Sequence, residues 1–278
     1  MRILFISDLH MDRNPETTKE ELSALDRHDI DVAIVAGDIA EADHVVETLL
    51  SIFTKEQKVI FIAGNHEFYC PDENQIHTMK ECRERIRADL KRFDVEDRLF
   101  FLDNSSVNIN GIWFIGSTLW TDFKFGNRSQ NENMIVCQEM QNDYKFIYTE
   151  RGLVTPEDIL AEHITSKSFI QKEMERIVGM GHRPILITHH LASASMMHER
   201  YEGSNNNASF ISDLDDLVSD AIIYCCGHTH HHSIVLSPLS GRMMICNPFG
   251  YRASDGRREE TGYKSDLIVD VSRASCII

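Results

Sequence analysis

The stretch KVIFIAGNHE, residues 58–67, joins an apolar run to a tight polar turn. The run from Lys58 to Ala63 has the length of a buried β-strand. Gly64 permits a sharp turn and a close approach of neighbouring backbone, so Asn65 and His66 are presented directly beyond the end of the strand. The same succession of an apolar run and a polar turn recurs along the chain, and it indicates the class of fold.

Apolar runs and helical patterns alternate in the N-terminal part of the chain. The runs lie at 2–7, 31–36 and 58–63, and the segments with helical spacing lie at 17–28, 42–53 and 73–93. Alternating strands and helices are typical of parallel βαβ units, so this pattern predicts an α/β fold.

The rest of the chain is richer in short strands. Apolar runs predict strands at 99–102, 106–110, 112–117, 184–188, 221–226, 233–236, 242–246 and 267–271. Helical spacing predicts helices at 156–178 and 209–219, with Thr155 as the N-cap of the first and Pro156 at its first position. Residues 123–155 are polar and weakly periodic, and we interpret this lid segment as an insertion over the site.

Candidate metal ligands directly follow five of the predicted strands. They lie in the segments Asp8-Leu9-His10, Gly37-Asp38, Gly64-Asn65-His66-Glu67, His189-His190 and Gly227-His228-Thr229-His230. Because ligand sites of parallel α/β sheets lie beyond the carboxyl ends of the strands, these segments can converge on one place. Nitrogen and oxygen donors without cysteine suit Mn, Fe, Zn, Ni or Co. The sequence therefore predicts a metal centre at this edge.

The motifs DxH, GD, GNHE, a later histidine and GHxH, in this order, resemble the calcineurin-like metallophosphoesterase superfamily. They span residues 8–230, most of the chain. Segments 118–123, 209–214 and 247–251 also look like a bacterial subgroup of predicted phosphohydrolases. The resemblance implies two stacked mixed β-sheets flanked by helices, and we expect one catalytic domain over residues 1–278 with the lid segment inserted in it.

The resemblance also implies a site with two divalent metal ions. The implied ligands are Asp8, His10 and His230 for the first ion, Asn65, His189 and His228 for the second, and Asp38 as a bridge between them. His66 would contact the substrate phosphate or protonate the leaving oxygen, with Asp38 or Glu67 helping to orient the site. The implied reaction is hydrolysis of a phosphomonoester or phosphodiester by a metal-bridging hydroxide.

Elementary chemistry is consistent with these implied roles. A bridging carboxylate can hold two cations about 3.5–4 Å apart, and such a pair lowers the pKa of a bridging water and binds phosphate oxygens. The imidazole of His66 titrates near neutral pH, which suits proton transfer to a leaving alkoxide.

Histidines at strand ends have a second interpretation. A single one is more often structural than a ligand, and only the five segments together favour metal binding. His189 and His190 are adjacent, and neighbouring side chains of an extended segment point to opposite sides, so one of the two is expected to face the metals. The resemblance favours His189.

Asn207, Tyr251 and Arg252 are candidates for substrate binding. The planar guanidinium of Arg252 can bind phosphate oxygens in a bidentate manner. For each of the three residues, core packing or loop capping is an alternative interpretation of at least equal weight.

Composition restricts the partners. The net charge is −16, from 28 basic and 44 acidic residues, which argues against binding duplex nucleic acid. The acidic composition is compatible with a small phosphorylated substrate or nucleotide, because bound metal ions would invert the local electrostatic field.

Seven cysteines without a CxxC pair or a signal sequence predict a reduced, cytoplasmic protein. No apolar run approaches the roughly 18 residues of a membrane helix, so no membrane association is expected, and the oligomeric state is left open.

Three rival functions deserve a test. A nucleotide pyrophosphatase and a nuclease of the same fold would use the same ligands, whereas a non-catalytic scaffold would have lost them. The complete ligand set and His66 argue against the scaffold. The acidic composition, without a basic stripe, argues against the nuclease.

Overall fold

The structure, a computed structural model, describes residues 1–11, 21–22, 29–253 and 255–271. The helix predicted at 17–28 lies almost entirely outside these residues. One sheet contains the strands β1 (Arg2–Ile6), β2 (Val32–Val35), β3 (Lys58–Phe61), β4 (Leu99–Phe101) and β13 (Ile268–Asp270). Its order is β13-β1-β2-β3-β4, in which β1 to β4 are parallel and β13 is antiparallel to β1.

A second sheet has six strands. They are β5 (Ser105–Ile109), β6 (Ile112–Ser117), β9 (Ile185–Thr188), β10 (Ile223–Cys226), β11 (Ser233–Leu236) and β12 (Met243–Cys246). The order is β11-β12-β10-β9-β6-β5, with parallel central strands and antiparallel edges. A separate hairpin joins β7 (Tyr148–Thr149) to β8 (Gly152–Leu153).

The two sheets stack because their strands are apolar on both faces. In β1, Ile3 and Phe5 pack between the sheets against residues such as Ile187 of β9. Leu4 and Ile6, which alternate with them, pack on the outer side. Successive side chains of a strand point to opposite faces, so each buried strand contributes to two layers of core. The predicted pair of stacked mixed sheets is confirmed.

Helices cover the outer faces of both sheets. They are α1 (Val45–Ile52), α2 (Met79–Arg92), α3 (Gln130–Met140), α4 (Asp143–Phe146), α5 (Pro156–Gly179) and α6 (Asp215–Ser219). Buried residues of α1 and α2 pack on the first sheet, and those of α5 and α6 pack on the second. None of the described helices is both long enough and apolar enough to cross a membrane.

The first residues of two helices are set by side-chain capping. Thr78 and Glu81 form a capping box, so α2 begins at Met79 and not at residue 73 as predicted. Thr155 caps α5, as the sequence predicted. The predicted helix at 209–219 is wrong over most of its length, because the backbone of Leu191 bonds to Phe210 and Ser212 and draws this segment into an extended bridge. Only α6 remains helical there.

Candidate metal centre

The predicted ligands converge beyond the carboxyl ends of the strands. We define the first cluster as Asp8, His10, Asp38 and His230, and the second cluster as Asp38, His189 and His228 together with Asn65. Within the carboxylate and imidazole groups of each cluster, the ligand atoms lie within 4.8 Å of one another. All these residues are buried. The structure therefore brings together every residue that the sequence assigned to a metal.

Nitrogen and oxygen atoms of the first cluster face a common centre. His230 Nε2 lies 3.4 Å from Asp8 Oδ1 and 2.9 Å from His10 Nε2. His10 Nε2 lies 3.7 Å from Asp38 Oδ2. Two imidazoles and two carboxylates around one point form a donor set that suits a divalent transition metal.

The second cluster uses the other oxygen of Asp38. His189 Nε2 lies 3.3 Å from Asp38 Oδ1 and 3.2 Å from Asn65 Oδ1. Since Oδ2 faces His10 and Oδ1 faces His189, the carboxylate lies between the clusters as a bridging ligand would. His228 Nε2 is buried and has no hydrogen-bond partner among the described residues. A buried imidazole nitrogen without a partner is costly unless a ligand occupies its lone pair, so the residues fit a metal.

The protonation states of three ligands fit metal binding directly, whereas those of two histidines do not. Burial, followed by the neighbouring histidines, lowers the pKa of both His10 and His228, which keeps the two imidazoles neutral. Burial alone would raise the pKa of Asp38, but His189 and His66 hold it well below its ordinary value. Neutral imidazole and ionised carboxylate are the forms that bind metals. Against the effect of burial, Asp38 raises the pKa of His189 to about 10, and Asp8 and Glu259 raise that of His230 to about 10, so a metal would have to displace a proton from each.

Several ligands have a left-handed backbone. The residues are Asp8 (φ 55°), His10 (φ 46°), Asp38 (φ 55°), His228 (φ 69°) and His230 (φ 47°). This conformation costs an ordinary L-residue roughly 1–2 kcal/mol, and it turns the side chains inward immediately after their strands. Such strain is concentrated at functional sites.

Gly64 and Glu67 hold the turns of the site together. A Cβ atom on Gly64 would lie 2.1 Å from Asp38 Oδ1, so only glycine allows this approach. The carboxylate of Glu67 accepts hydrogen bonds from the backbone N–H groups of Gly64, Asp38 and Ile39 at 2.6, 3.1 and 2.6 Å. Burial and then Asp38 raise the pKa of Glu67 to about 7. Glu67 therefore fixes two ligand turns relative to each other.

His66 lies beside the clusters and faces a cavity. Its backbone N–H donates to Asp38 Oδ1 at 3.0 Å, and its Nε2 lies 2.9 Å from the Tyr251 hydroxyl oxygen. Both side chains line a cavity of about 260 Å³ that also contacts Tyr201 and Phe210. The structure thus places His66 and Tyr251 together in the wall of a cavity that borders both clusters.

Other candidates lie away from the cavity. His190 Nδ1 contacts the Thr118 carbonyl at 3.3 Å, and His189, not His190, belongs to the second cluster. The Arg252 guanidinium pairs with Glu21 at 2.8 Å and is not among the described residues that line the cavity.

Asn207 supports a loop near the site. Its amide nitrogen donates to the Tyr201 carbonyl at 2.7 Å, and the residue lines a different cavity with Phe125 and Arg128. Loop capping, the alternative interpretation of Asn207, is what its contacts show. Its role in substrate binding stays a prediction.

Two carboxylates that contact the candidate ligands were not predicted from the sequence. Asp143 accepts a hydrogen bond from Asn65 Nδ2 at 2.9 Å, and Glu259 Oε2 lies 2.6 Å from His230 Nδ1. The partners are 78 and 29 positions apart in sequence, so no motif spacing links them. Carboxylates that contact the far side of a metal ligand commonly orient it.

The comparisons with known proteins agree with this geometry. A family model described as calcineurin-like phosphoesterase matches residues 1–232, so the chain belongs to the calcineurin-like phosphoesterase family. Members of this family are generally hydrolases that use divalent metals.

Two individual proteins resemble the chain along most of its length. It is 26% identical over 274 residues to "Uncharacterized protein L509" of Acanthamoeba polyphaga mimivirus. The alignment covers 90% of this chain and 92% of that protein. The crystal structure of phosphopantetheinyl hydrolase (PptH) from Mycobacterium tuberculosis superposes with a TM-score of 0.69 at 19% identity, covering 90% and 89% of the two chains. At this identity the second similarity shows the fold alone.

Proposed function

We propose that this protein is a binuclear metal-dependent hydrolase of a phosphomonoester or phosphodiester. The observation that carries the proposal is the position of Asp38, whose two oxygens face His10 in the first cluster and His189 in the second. The proposed ligands are Asp8, His10, Asp38, Asn65, His189, His228 and His230. We further propose Mn, Fe, Zn or Ni as the metal, because the donors are imidazole, carboxylate and amide oxygen.

The chain's own residues complete the chemistry. Two divalent ions, when bound, lower the pKa of a coordinated water and neutralise phosphate charge. His66 lies in reach of the same space and is proposed to protonate the leaving oxygen. The Tyr251 hydroxyl, 2.9 Å from His66 Nε2, holds that imidazole toward the cavity.

The cavity suits a small phosphorylated substrate. Its aromatic residues Tyr69, Tyr201, Phe210 and Tyr251 and the amides of Gln141 and Asn142 can contact the organic part of an ester or a nucleotide. No lysine or arginine lines the part of this cavity formed by described residues, so the phosphate charge would be met by the metals. We also propose a cytoplasmic location, and the cysteine content is its sole support.

Metal titration of two variants tests the bridging role. Asp38→Asn should weaken binding of both Mn²⁺ ions and abolish hydrolysis, because the bridge serves both clusters. His10→Asn should weaken mainly one ion. Glu139→Gln, on an exposed face of α3, is the matched control and should bind two ions. Fewer than two Mn²⁺ ions in the wild type, or two with unchanged affinity in Asp38→Asn, would refute the proposal.

A panel of substrates tests the reaction. Aryl monoesters, aryl diesters, cyclic nucleotides and dinucleotides would be assayed with added Mn²⁺, Zn²⁺, Ni²⁺ or Mg²⁺. Hydrolysis of a monoester or diester that the Asp38→Asn variant lacks is the expected result. Metal binding without turnover of any ester in the panel would favour the non-catalytic alternative.

A further inference from the structure

The amide of Asn65 can serve a metal in only one of its two orientations. Its Oδ1 carries lone pairs that bind cations, whereas its NH₂ group is a donor only. In the structure Oδ1 lies 3.2 Å from His189 Nε2, within the second cluster, and Nδ2 points to the opposite side. Because the two ends have nearly the same shape, packing alone cannot select the useful one, and a hydrogen-bond partner must do so.

Asp143 supplies that partner from a buried position. Its side chain belongs to a residue that is 6% exposed, and its Oδ1 accepts hydrogen bonds from Asn65 Nδ2 at 2.9 Å and from the Tyr69 hydroxyl at 2.7 Å. The Tyr69 oxygen also lies 3.0 Å from Asn65 Nδ2. Because Asp143 Oδ1 accepts the Tyr69 proton, it carries none of its own and can bond only to the NH₂ end of the Asn65 amide. Oδ1 of Asn65 is therefore turned to the second cluster.

This contact joins the lid segment to the metal centre. Asp143 is the first residue of α4, inside residues 123–155. A second hydrogen bond joins the same two parts of the chain: the backbone N–H of Cys70 donates to the carbonyl of Phe146, the last residue of α4, at 2.8 Å. The loop that carries Asn65 is therefore held at two points by an element that is distant in sequence.

We propose that Asp143 is a positioning residue that sets the amide orientation of Asn65 and thereby the affinity of the second cluster for its metal. The inference rests on the proposed function, since it needs a metal at that cluster. The lid segment would then support metal binding although it contributes none of the proposed ligands.

A Mn²⁺ titration separates the two ions. Binding would be followed by calorimetry, and by electron paramagnetic resonance, in which two neighbouring Mn²⁺ ions give a coupled spectrum. Asp143→Ala should weaken the second ion by roughly 10–100-fold, the usual effect of removing a group that orients a ligand, and the coupled spectrum should be lost at limiting Mn²⁺. Glu139→Gln, an exposed carboxylate of the same segment, should behave as the wild type.

A double-mutant cycle distinguishes orientation from bracing. In an Asn65→Asp background the two side-chain oxygens are equivalent, so no orientation has to be selected. Adding Asp143→Ala there should not weaken the second ion further. Equal losses in both backgrounds would show that Asp143 only braces the fold and would overturn the inference.

The outcomes also separate this inference from the proposed function. Fewer than two Mn²⁺ ions in the wild type would refute the proposed function. Two ions in the wild type and unchanged binding in Asp143→Ala would overturn the inference alone. If Asp143→Ala does not fold, Asp143→Asn takes its place in the same cycle. A neutral acceptor makes a hydrogen bond about half as strong, so the affinity for the second ion should fall on the order of 5-fold. An unchanged affinity would overturn the inference.

Discussion

At the scale of single residues, His66 and its neighbour Asn65 have different contacts, which agrees with the different roles that we propose for them. Its backbone donates to the bridging Asp38, while its ring lies against Tyr251 and stacks on Tyr69 with centroids 4.4 Å apart. Neither cluster of the described ligand atoms includes it. An imidazole beside the two clusters that lines the cavity agrees with the proton donor that we propose.

The leaving group tests this role. His66→Ala should keep both metals and lose kcat by roughly 10²–10⁴-fold on alkyl esters, as for other positioned acids. Nitrophenyl esters should lose much less, because their leaving group departs without protonation. Steady-state kinetics with both ester classes provides the comparison. An equal loss on both would mean that His66 orients the phosphate and does not protonate the leaving oxygen.

At the scale of elements, sequence patterns located the strands well and the irregular segments poorly. The strands at 112–117 and 233–236 were predicted with the bounds that β6 and β11 have, and the other predicted strands differ from the observed ones at one or both ends. The short hairpin of β7 and β8 was not predicted. The segment 209–219 was misassigned because its apolar residues serve a tertiary bridge to Leu191, which no local pattern records.

The same contrast applies to the site. Its ligands could be predicted because each follows a strand in a short motif. Asp143 and Glu259 could not, since each is recognisable only through a partner that folding brings close. Local motifs therefore give the candidate metal ligands, whereas the carboxylates that contact them are found only in the structure.

Replacing the lid segment 123–155 by a short linker should have two effects. The ranking of substrates should change, since Gln141 and Asn142 line the cavity. The second metal should also bind more weakly, since Asp143 is removed. Metal analysis and the ester panel on the same folded variant would show both effects. Unchanged affinity for two ions would contradict the second of them.

At the scale of the whole molecule, the candidate metal ligands come from both sheets. Asp8 and Asp38 follow strands of the first sheet, whereas His189 and His230 follow strands of the second. Each cluster contains ligands from both sheets. An ion in either cluster would therefore cross-link the sandwich at the edge where the strands end.

Chelation should consequently destabilise the protein. One ion present at 100 times its Kd contributes about 2.7 kcal/mol to the free energy of unfolding. Removing it should lower the Tm by roughly 5 °C for a chain of this size. Thermal unfolding with EDTA, then with Mn²⁺ restored, measures the change. The Asp38→Asn variant is the control and should respond little; an equal response in both proteins would locate the stabilising ion elsewhere.

The left-handed backbone of five ligands affects how an alanine scan of this protein should be interpreted. At positions 8, 10, 38, 228 and 230, alanine would remove a donor atom and would also occupy a conformation that Asp, His and Asn tolerate better. A loss of function there would combine both effects and would overstate the importance of the side chain. Asparagine, which accepts the same backbone geometry, is the better reference substitution. At His189 and Asn65, which are not among the residues with positive φ, alanine carries no such backbone cost.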